Sequence, residues 1–221
     1  MVSAAELNTT ITSDPFIQAI TKVAGITTDI GVEAGFAAYR TAGGSEISRI
    51  VDGRSSSHAL ESAFGAGMLK YGSVDIGSIT VDFEALATDK HTYRKDLLVV
   101  VHSHPVDGLT ANEAHKHLRP SLADLEMHEE QEIDCPGLVN GILIVGVSNQ
   151  AMLSLFLYRR IDSDKPNYYQ RFADTEPSRR DLIESMVESG FAIAELCYDR
   201  NERTYTRDPG IELEALSPTK S

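Results

Sequence analysis

Two histidines separated by one residue follow a short apolar run near the middle of the chain. The run LLVVV, residues 97–101, is typical of a buried β-strand and leads directly into His102 and His104. Side chains two apart on a strand project to the same face, so both imidazoles could contact one metal ion. Pro105 is then expected to end the strand. A His-x-His pair alone is a weak signal, and its value depends on what accompanies it.

A serine and an aspartate at helical spacing are the accompanying groups. Pro120 and Ser121 are expected to open a polar helix that continues to about Gln131. Asp124 comes three residues after Ser121, so both side chains would share one face of that helix. The same pattern is also a common helix start, with a serine N-cap and an acidic residue in the first turn.

Together, His102, His104 and Asp124 form a ligand set that is typical of catalytic zinc. Two neutral imidazoles and one carboxylate suit Zn²⁺ and leave a fourth coordination position for water. A closed structural site would use four protein ligands instead. The sequence therefore predicts a zinc metallohydrolase.

The order of these residues resembles the JAMM (JAB/MPN) family of zinc isopeptidases. The family signature is an early glutamate, then His-Ser/Thr-His-Pro, then Ser-x-x-Asp, which are HSHP at residues 102–105 and SLAD at residues 121–124 here. The resemblance covers roughly residues 14–160. It implies a mixed α/β (α+β) fold, with a central, mostly antiparallel sheet flanked by helices and a zinc site at a strand end and a helix start.

The resemblance also implies a glutamate that acts as general base. In the family this residue lies at the start of the first strand, shortly after the first helix, and Glu33 in VEAGFAAY fits that position best. Glu46, at the start of the next predicted strand, is the alternative. Glu33 would accept a proton from water and deliver it to the leaving amine, while the Ser121 hydroxyl would donate to the oxyanion.

The family cleaves isopeptide or peptide bonds after the C-terminal tail of a ubiquitin-like protein. The resemblance thus implies a ubiquitin-like protein or its conjugates as the partner, with the tail held extended against a strand edge. Processing of a sulfur-carrier protein or a small peptide-like substrate is one alternative. A non-catalytic MPN scaffold is another, but scaffold members typically lose the histidines or the aspartate that this chain retains.

An insertion separates the two halves of the motif. The spacing between His104 and Ser121 exceeds the usual family spacing by about nine residues, and the extra segment lies within 106–119. Because it lies between two parts of the metal site, we expect it to be a mobile flap. It also holds a competing ligand set, interpreted mainly as loop residues: Glu113, His115 and His117. The remaining histidines lack metal-like spacing and are expected at the surface or its boundary: His58, His91 and His128.

Periodicity and turn residues predict the surrounding elements. Asp14 as N-cap and Pro15 as first helical residue predict a helix of about ten residues that ends before Gly25–Gly31. Residues 33–41 and 46–53 predict a hairpin across Ala-Gly-Gly-Ser. Further strands are expected at 78–83, 142–147 and 152–160, after a segment of ambiguous type at 55–71.

One main domain with appendages is expected from the length of the chain. An amphipathic helix is predicted from Arg180 to about Tyr198, because apolar residues recur on or near one face. The predicted organisation is an N-terminal tail, a JAB/MPN-like catalytic domain, a loop with a helix packed on that domain, and a mobile tail. These four parts are residues 1–13, 14–160, 161–199 and 200–221.

Composition limits the remaining classes of function. With 33 acidic against 20 basic residues and a net charge of -13, the chain has no electrostatic footprint for binding nucleic acid. The two cysteines, Cys135 and Cys197, are too few for a disulfide framework and are expected to be reduced thiols. No apolar run spans a bilayer and the N-terminus lacks a signal-peptide pattern, so a soluble, cytoplasmic protein without a membrane partner is expected.

Overall fold

The computed structural model describes residues 2–52, 97–105, 118–145, 152–172, 175, 177–206 and 213–216. Over these residues the fold is mixed α/β, with a mostly antiparallel sheet flanked by helices, as the sequence predicts. The helices are α1 Ala4–Ile11, α2 Asp14–Ile30, α3 Leu122–Asp134 and α4 Arg179–Glu188, with a short 3-10 helix at Tyr168–Phe172. The strands are β1 Ala34–Thr41, β2 Gly44–Ile47, β3 Val51–Asp52, β4 Leu97–Pro105, β5 Val139–Val145, β6 Met152–Arg160, β7 Phe191–Asp199 and β8 Thr204–Tyr205.

The strand order places β4 in the interior of the sheet. The order is β2-β1-β4-β5-β6-β7-β8, and β3 also pairs with β1. Of these pairings only β4 with β5 is parallel, and a parallel pair requires a crossover between its strands. Helix α3 lies in that crossover, so the chain leaves the end of β4 and returns through α3 to the start of β5. This connection brings the HSHP and SLAD segments to the same end of the sheet.

Several local predictions are confirmed. The hairpin forms between β1 and β2, with Thr41 paired to Gly44, so its turn is shorter than predicted, and the second arm expected over 46–53 is divided into β2 and β3. The apolar runs after the motif form β5 and β6, which pair antiparallel. Helix α3 begins after Ser121, as predicted, and ends at Asp134, where Cys135 caps it, a few residues beyond the predicted end near Gln131.

The N-terminal predictions need correction. Residues 1–13 were expected to be a tail, but α1 forms there with a capping box between Ser3 and Glu6 and buries Leu7 and Ile11. The N-cap of α2 is Ser13, whose hydroxyl accepts from the Phe16 amide, and Asp14 is already helical. Helix α2 also continues through Gly25, because its apolar face stays buried from Phe16 to Thr27. It ends only at Gly31, whose φ of 65° is the left-handed conformation that glycine tolerates best.

The C-terminal predictions were also wrong in part. The helix expected over 180–198 stops at Glu188, and Gly190, at φ 86°, turns the chain into β7. Strand β7 pairs with β6 from Arg160 to Met152, so the sheet continues past residue 160. The alternation of buried and half-buried residues in FAIAELCYD is that of a strand with one face against the core.

The last twenty-odd residues were expected to be a mobile tail, yet part of them is packed. Strand β8 pairs with the end of β7, and the Tyr205 hydroxyl donates to the Ile11 carbonyl. Leu213 and Leu216 are buried in the core, and the Arg159 guanidinium donates to the Leu216 carbonyl. These contacts tie the C-terminal segment to α1 and to the middle of the sheet.

Some predictions fall outside the described residues. These are the ambiguous segment at 55–71, the strand at 78–83 and nearly all of the insertion, including Glu113, His115 and His117. His58 and His91 fall outside them as well. Within the part of the chain that the structure describes, no helix combines the length and apolarity needed to cross a membrane.

Candidate metal centre

His102 and His104 project from the end of β4 toward the first turn of α3. His102 Nε2 lies 3.0 Å from His104 Nε2, and the two rings are tilted with centroids 4.9 Å apart. Asp124 contacts both rings: Oδ1 is 3.2 Å from His102 Nε2, and Oδ2 is 3.2 Å from His104 Nε2. We call these three residues the histidine–aspartate cluster. The structure thus brings together all three residues that the sequence predicts as metal ligands.

The spacing of the cluster fits a small divalent cation. In a tetrahedral site with metal–nitrogen distances near 2.05 Å, neighbouring donor atoms are about 3.3 Å apart. The distances among the three side chains, 3.0 and 3.2 Å, are close to that value. All three side chains are partly accessible, with 16%, 20% and 12% exposed for His102, His104 and Asp124. The cluster could therefore hold one metal ion that also remains open to a further ligand.

Charge is balanced within the cluster. Burial opposes protonation of His102, but the Asp124 carboxylate, with a smaller contribution from Glu33, outweighs burial and raises the pKa of His102. Burial opposes ionisation of Asp124, but the two imidazoles outweigh it and hold the pKa of Asp124 well below its usual range. The site therefore stabilises a positive charge between the rings and the carboxylate, whether a proton or a metal ion supplies it.

Ser121 holds Asp124 in place from the start of α3. The Ser121 hydroxyl accepts from the Asp124 amide at 3.1 Å, while its own amide and hydroxyl donate to Asp124 Oδ2 at 2.6 and 2.8 Å. This reciprocal pair is a capping box, so the interpretation of Ser121 as an N-cap is confirmed. The same contacts orient the carboxylate toward the histidines. Capping and ligand positioning are thus two effects of one arrangement.

Of the two candidate glutamates, Glu33 lies beside the cluster. Its Oε1 is 4.0 Å from His104 Nε2, and its side chain is 19% exposed. Glu46 is exposed on β2, opposite Tyr39. Tyr39 is four residues along β1 from Gly35, about 13 Å at strand spacing, and Gly35 is the residue paired with His102. The geometry thus places Glu33, and not Glu46, next to the candidate ligands.

Gly35 allows β1 to approach the ligand strand closely. A Cβ atom at this position would lie 2.8 Å from the Val101 carbonyl oxygen and 3.3 Å from His102 Cβ. Any larger residue would push β1 away from β4 at His102. The absence of a side chain at Gly35, two residues after Glu33, is therefore a packing requirement of the site.

Two hydroxyl groups behind the cluster were not singled out by the sequence analysis. Thr27 Oγ1 lies 2.5 Å from Ser103 Oγ, which accepts from the Ala34 amide at 2.9 Å and donates to the Ala34 carbonyl at 3.1 Å. Thr27 and Ser103 are both buried, at 2% and 0% exposed. The Ser-His-Pro context marks Ser103 in the sequence. Nothing in the sequence marks Thr27, because its partner is 76 residues away.

His128 is buried, so its expected place at the surface or boundary was wrong. It is 1% exposed, contacts the rings of Tyr158 and Phe191, and accepts a hydrogen bond at Nδ1 from the Asn140 side-chain Nδ2. Burial, with a smaller effect from Arg160, lowers the pKa of His128 to about 3. Helical periodicity explains its burial: Leu125 and His128 lie on the same inward face of α3.

A cleft of about 300 Å³ opens beside the cluster. Its lining combines hydroxyls, a guanidinium and apolar groups from the start of α3 and from the segment before and within α4. The lining residues are His104, Arg119, Pro120, Ser121, Leu122, Thr175, Pro177 and Leu182. Because His104 and Ser121 belong to this wall, a molecule in the cleft would contact the candidate metal centre directly.

Fold and site together define a mixed α/β protein with a candidate metal centre at the end of an interior strand. Comparison of the chain with protein-family models, with curated proteins and with solved structures finds no match in any of the three. The resemblance to the JAMM family rests on the motif residues and on their order along the chain.

Proposed function

We propose that this chain is a zinc-dependent hydrolase of the JAMM type, which cleaves isopeptide or peptide bonds after the C-terminal tail of a ubiquitin-like protein in the cytoplasm. The observation that carries the proposal is the convergence of His102, His104 and Asp124 within 3.2 Å, with a glutamate beside them. These three residues would hold the metal. Bound zinc would lower the pKa of water to about 7 and polarise the scissile carbonyl.

Glu33 is the residue proposed to move the proton. Its carboxylate is 4.0 Å from His104 Nε2, close enough to reach a water molecule shared with the centre. In the reaction Glu33 takes one proton from the attacking water and gives it to the leaving amine. The attacking oxygen forms a C–O bond as the amide C–N bond breaks, and the products are a carboxylic acid and an amine, which then ionise to a carboxylate and an ammonium ion.

Ser121 is proposed to donate a hydrogen bond to the oxyanion. In the structure its hydroxyl donates to Asp124 Oδ2 instead. The proposed role therefore requires the hydroxyl to rotate toward the substrate, while the Ser121 amide keeps its own bond to Asp124. The adjoining cleft, which Ser121 also lines, offers the substrate a place on that side.

The proposal is tested with a fusion in which a ubiquitin-like domain precedes a cleavable reporter. Glu33→Gln should retain about one zinc per chain but lower kcat by about 10²- to 10⁴-fold, because the amide keeps the size of the side chain but cannot accept a proton. The matched control, Glu46→Gln, should cleave like the wild-type protein. His102→Ala/His104→Ala should lose both zinc and activity.

Three results would argue against parts of this proposal. Full zinc in the double histidine variant would place the metal elsewhere, and an active Glu33→Gln with an inactive Glu46→Gln would transfer the role of base. A zinc-loaded wild-type protein that cleaves no ubiquitin-like fusion would favour a different peptide-like substrate or a scaffold role.

A further inference from the structure

The residue proposed as base lies in a short connector rather than in a strand. Helix α2 ends at Ile30 and β1 begins at Ala34, so Glu33 is the last residue of a three-residue link that starts with Gly31. The ladder between β1 and β4 begins at Gly35 paired with His102. Continuing that antiparallel register would place Ala34 opposite Ser103 and Glu33 opposite His104. Strand β3 pairs with Ala34 and Gly35 on the other edge of β1, so the contacts between the connector and β4 beyond this ladder decide how close Glu33 lies to the ligand strand.

Ser103 contacts the chain on both sides of the connector. Its hydroxyl bonds the amide and the carbonyl of Ala34, the residue after Glu33, and contacts Thr27 in the last turns of α2. One proton arrangement satisfies every group: Thr27 donates to Ser103, Ser103 donates to the Ala34 carbonyl, and the Ala34 amide donates to Ser103. We call these contacts the hydroxyl bridge.

The hydroxyl bridge lies on the opposite side of β4 from the metal ligands. Because side chains alternate along a strand, Ser103 points away from the face that His102 and His104 share. Strand β5 pairs with β4 from Val99 to Pro105 and holds the two histidines independently of β1. The hydroxyl bridge is therefore placed to fix the connector relative to the ligand strand, and the ligands themselves have separate support.

We propose that Thr27 and Ser103 are positioning residues that hold Glu33 at its distance from the histidine–aspartate cluster. The inference rests on the proposed function, because it assigns Glu33 a distance-sensitive task. It implies that loss of either hydroxyl lowers turnover without removing the metal. A displacement of about 1 Å in a catalytic group can cost on the order of 100-fold in rate.

The test compares four variants in the full chain. Ser103→Ala removes the centre of the hydroxyl bridge, Thr27→Val removes the outer hydroxyl at constant shape, and Thr27→Ser keeps that hydroxyl. Thr10→Val is the matched control, because Thr10 is a buried threonine in α1 whose hydroxyl donates to the Glu6 carbonyl of its own helix. The measurements are kcat, KM, zinc affinity by chelator competition, and exchange of the Ala34 amide hydrogen by NMR.

We expect kcat to fall by about 10- to 100-fold in Ser103→Ala and Thr27→Val, with KM and zinc affinity within about twofold of wild type. Thr27→Ser should restore most of the turnover, and Ser103→Ala should speed exchange of the Ala34 amide relative to Thr10→Val. If Thr27→Val and Thr10→Val have the same kcat, whether unchanged or equally reduced, the inference is overturned. If Ser103→Ala does not fold, the comparison of kcat between Thr27→Val and Thr27→Ser still tests the inference.

The two proposals fail in different ways. If the wild-type protein cleaves no ubiquitin-like fusion, the proposed function fails. The exchange rate of the Ala34 amide hydrogen then tests the hydroxyl bridge, because that measurement needs no substrate. Faster exchange in Ser103→Ala alone would support the positioning of the residue next to Glu33. Equal exchange in Ser103→Ala and Thr10→Val would overturn it.

Discussion

Two helix starts in this protein share one sequence pattern and have different surroundings. Both read Pro-Ser-x-x-Asp: PSLAD at residues 120–124 before α3, and PSRRD at residues 177–181 before α4. In each, the serine hydroxyl accepts from the amide of the aspartate, at 3.1 and 3.2 Å, and donates to its Oδ2, at 2.8 and 2.7 Å. The hydroxyl contacts of the two N-caps are thus equivalent, and α3 adds the bond from the Ser121 amide to Asp124 Oδ2 that completes a capping box.

The difference lies in what the rest of the fold brings to each aspartate. Asp124 is 12% exposed and contacts two imidazoles at 3.2 Å, whereas Asp181 is exposed. The two imidazoles come from β4, which lies in the interior of the sheet. In the sequence, the insertion separates β4 from α3. A Ser-x-x-Asp pattern therefore specifies a helix start, and only a nonlocal neighbour converts its carboxylate into a candidate metal ligand.

The largest expected difference between the two helix starts is in metal binding. Asp124→Asn should weaken zinc binding by more than about 100-fold, since loss of a ligand should exceed the 10- to 100-fold cost of losing an outer-shell partner. Asp181→Asn should bind zinc like wild type. Competition against a coloured chelator measures both. A wild-type zinc affinity in Asp124→Asn would show that the carboxylate is only a cap.

A second difference concerns the stability of the metal-free protein. The pKa of Asp124 is lowered from 3.8, so its contribution to stability is complete above about pH 4 and is lost as the pH falls through the folded pKa. The pKa of His102 is raised from 6.5, so its contribution is complete below about pH 6.5 and is lost as the pH rises through the folded pKa. The pair therefore stabilises the fold most between these two limits.

Asp124→Asn should accordingly cost about 2 kcal/mol near pH 5.5 and less at a pH above the raised pKa of His102, where the imidazole is neutral. Asp181→Asn should cost no more than about 1 kcal/mol at either pH, because its contacts are exposed caps. Urea unfolding in the presence of a chelator measures both variants at both pH values. An equal cost for Asp124→Asn at the two pH values would contradict the ion-pair account.

The parts of the site that sequence predicts are those encoded by short patterns. The apolar run before His102, the alternation of the two histidines and the cap at Ser121 each depend on a few neighbouring residues, and each forms as expected. Local patterns also predict the hairpin that follows Glu33. The approach of Asp124 to the histidines is nonlocal, and it was predicted from the ligand types of the three residues together with the order of motifs in a resembling family.

The parts that sequence missed depend on the fold as a whole. Residues 191–199 carry apolar side chains at positions that also fit a helix, and only the open edge of β6 makes them a strand. The contact between Thr27 and Ser103 joins segments 76 residues apart, so no window on the sequence contains both. The helix at Ala4–Ile11 is a different case, because its Ser3-x-x-Glu6 capping box was readable in the sequence.

The smallest expected difference concerns the two capping serines, and it separates capping from ligand positioning. Ser121→Ala and Ser178→Ala should each cost about 1 kcal/mol of stability, because each removes an N-cap hydroxyl. Ser121→Ala should also weaken zinc binding by about tenfold, since its hydroxyl orients the carboxylate that contacts both histidines. Ser178→Ala should leave zinc affinity unchanged. Thermal unfolding and chelator competition on the two variants measure both effects. Equal stability losses with equal zinc affinities would mean that the Ser121 hydroxyl caps the helix without positioning the ligands, and that the Ser121 amide is enough to orient Asp124.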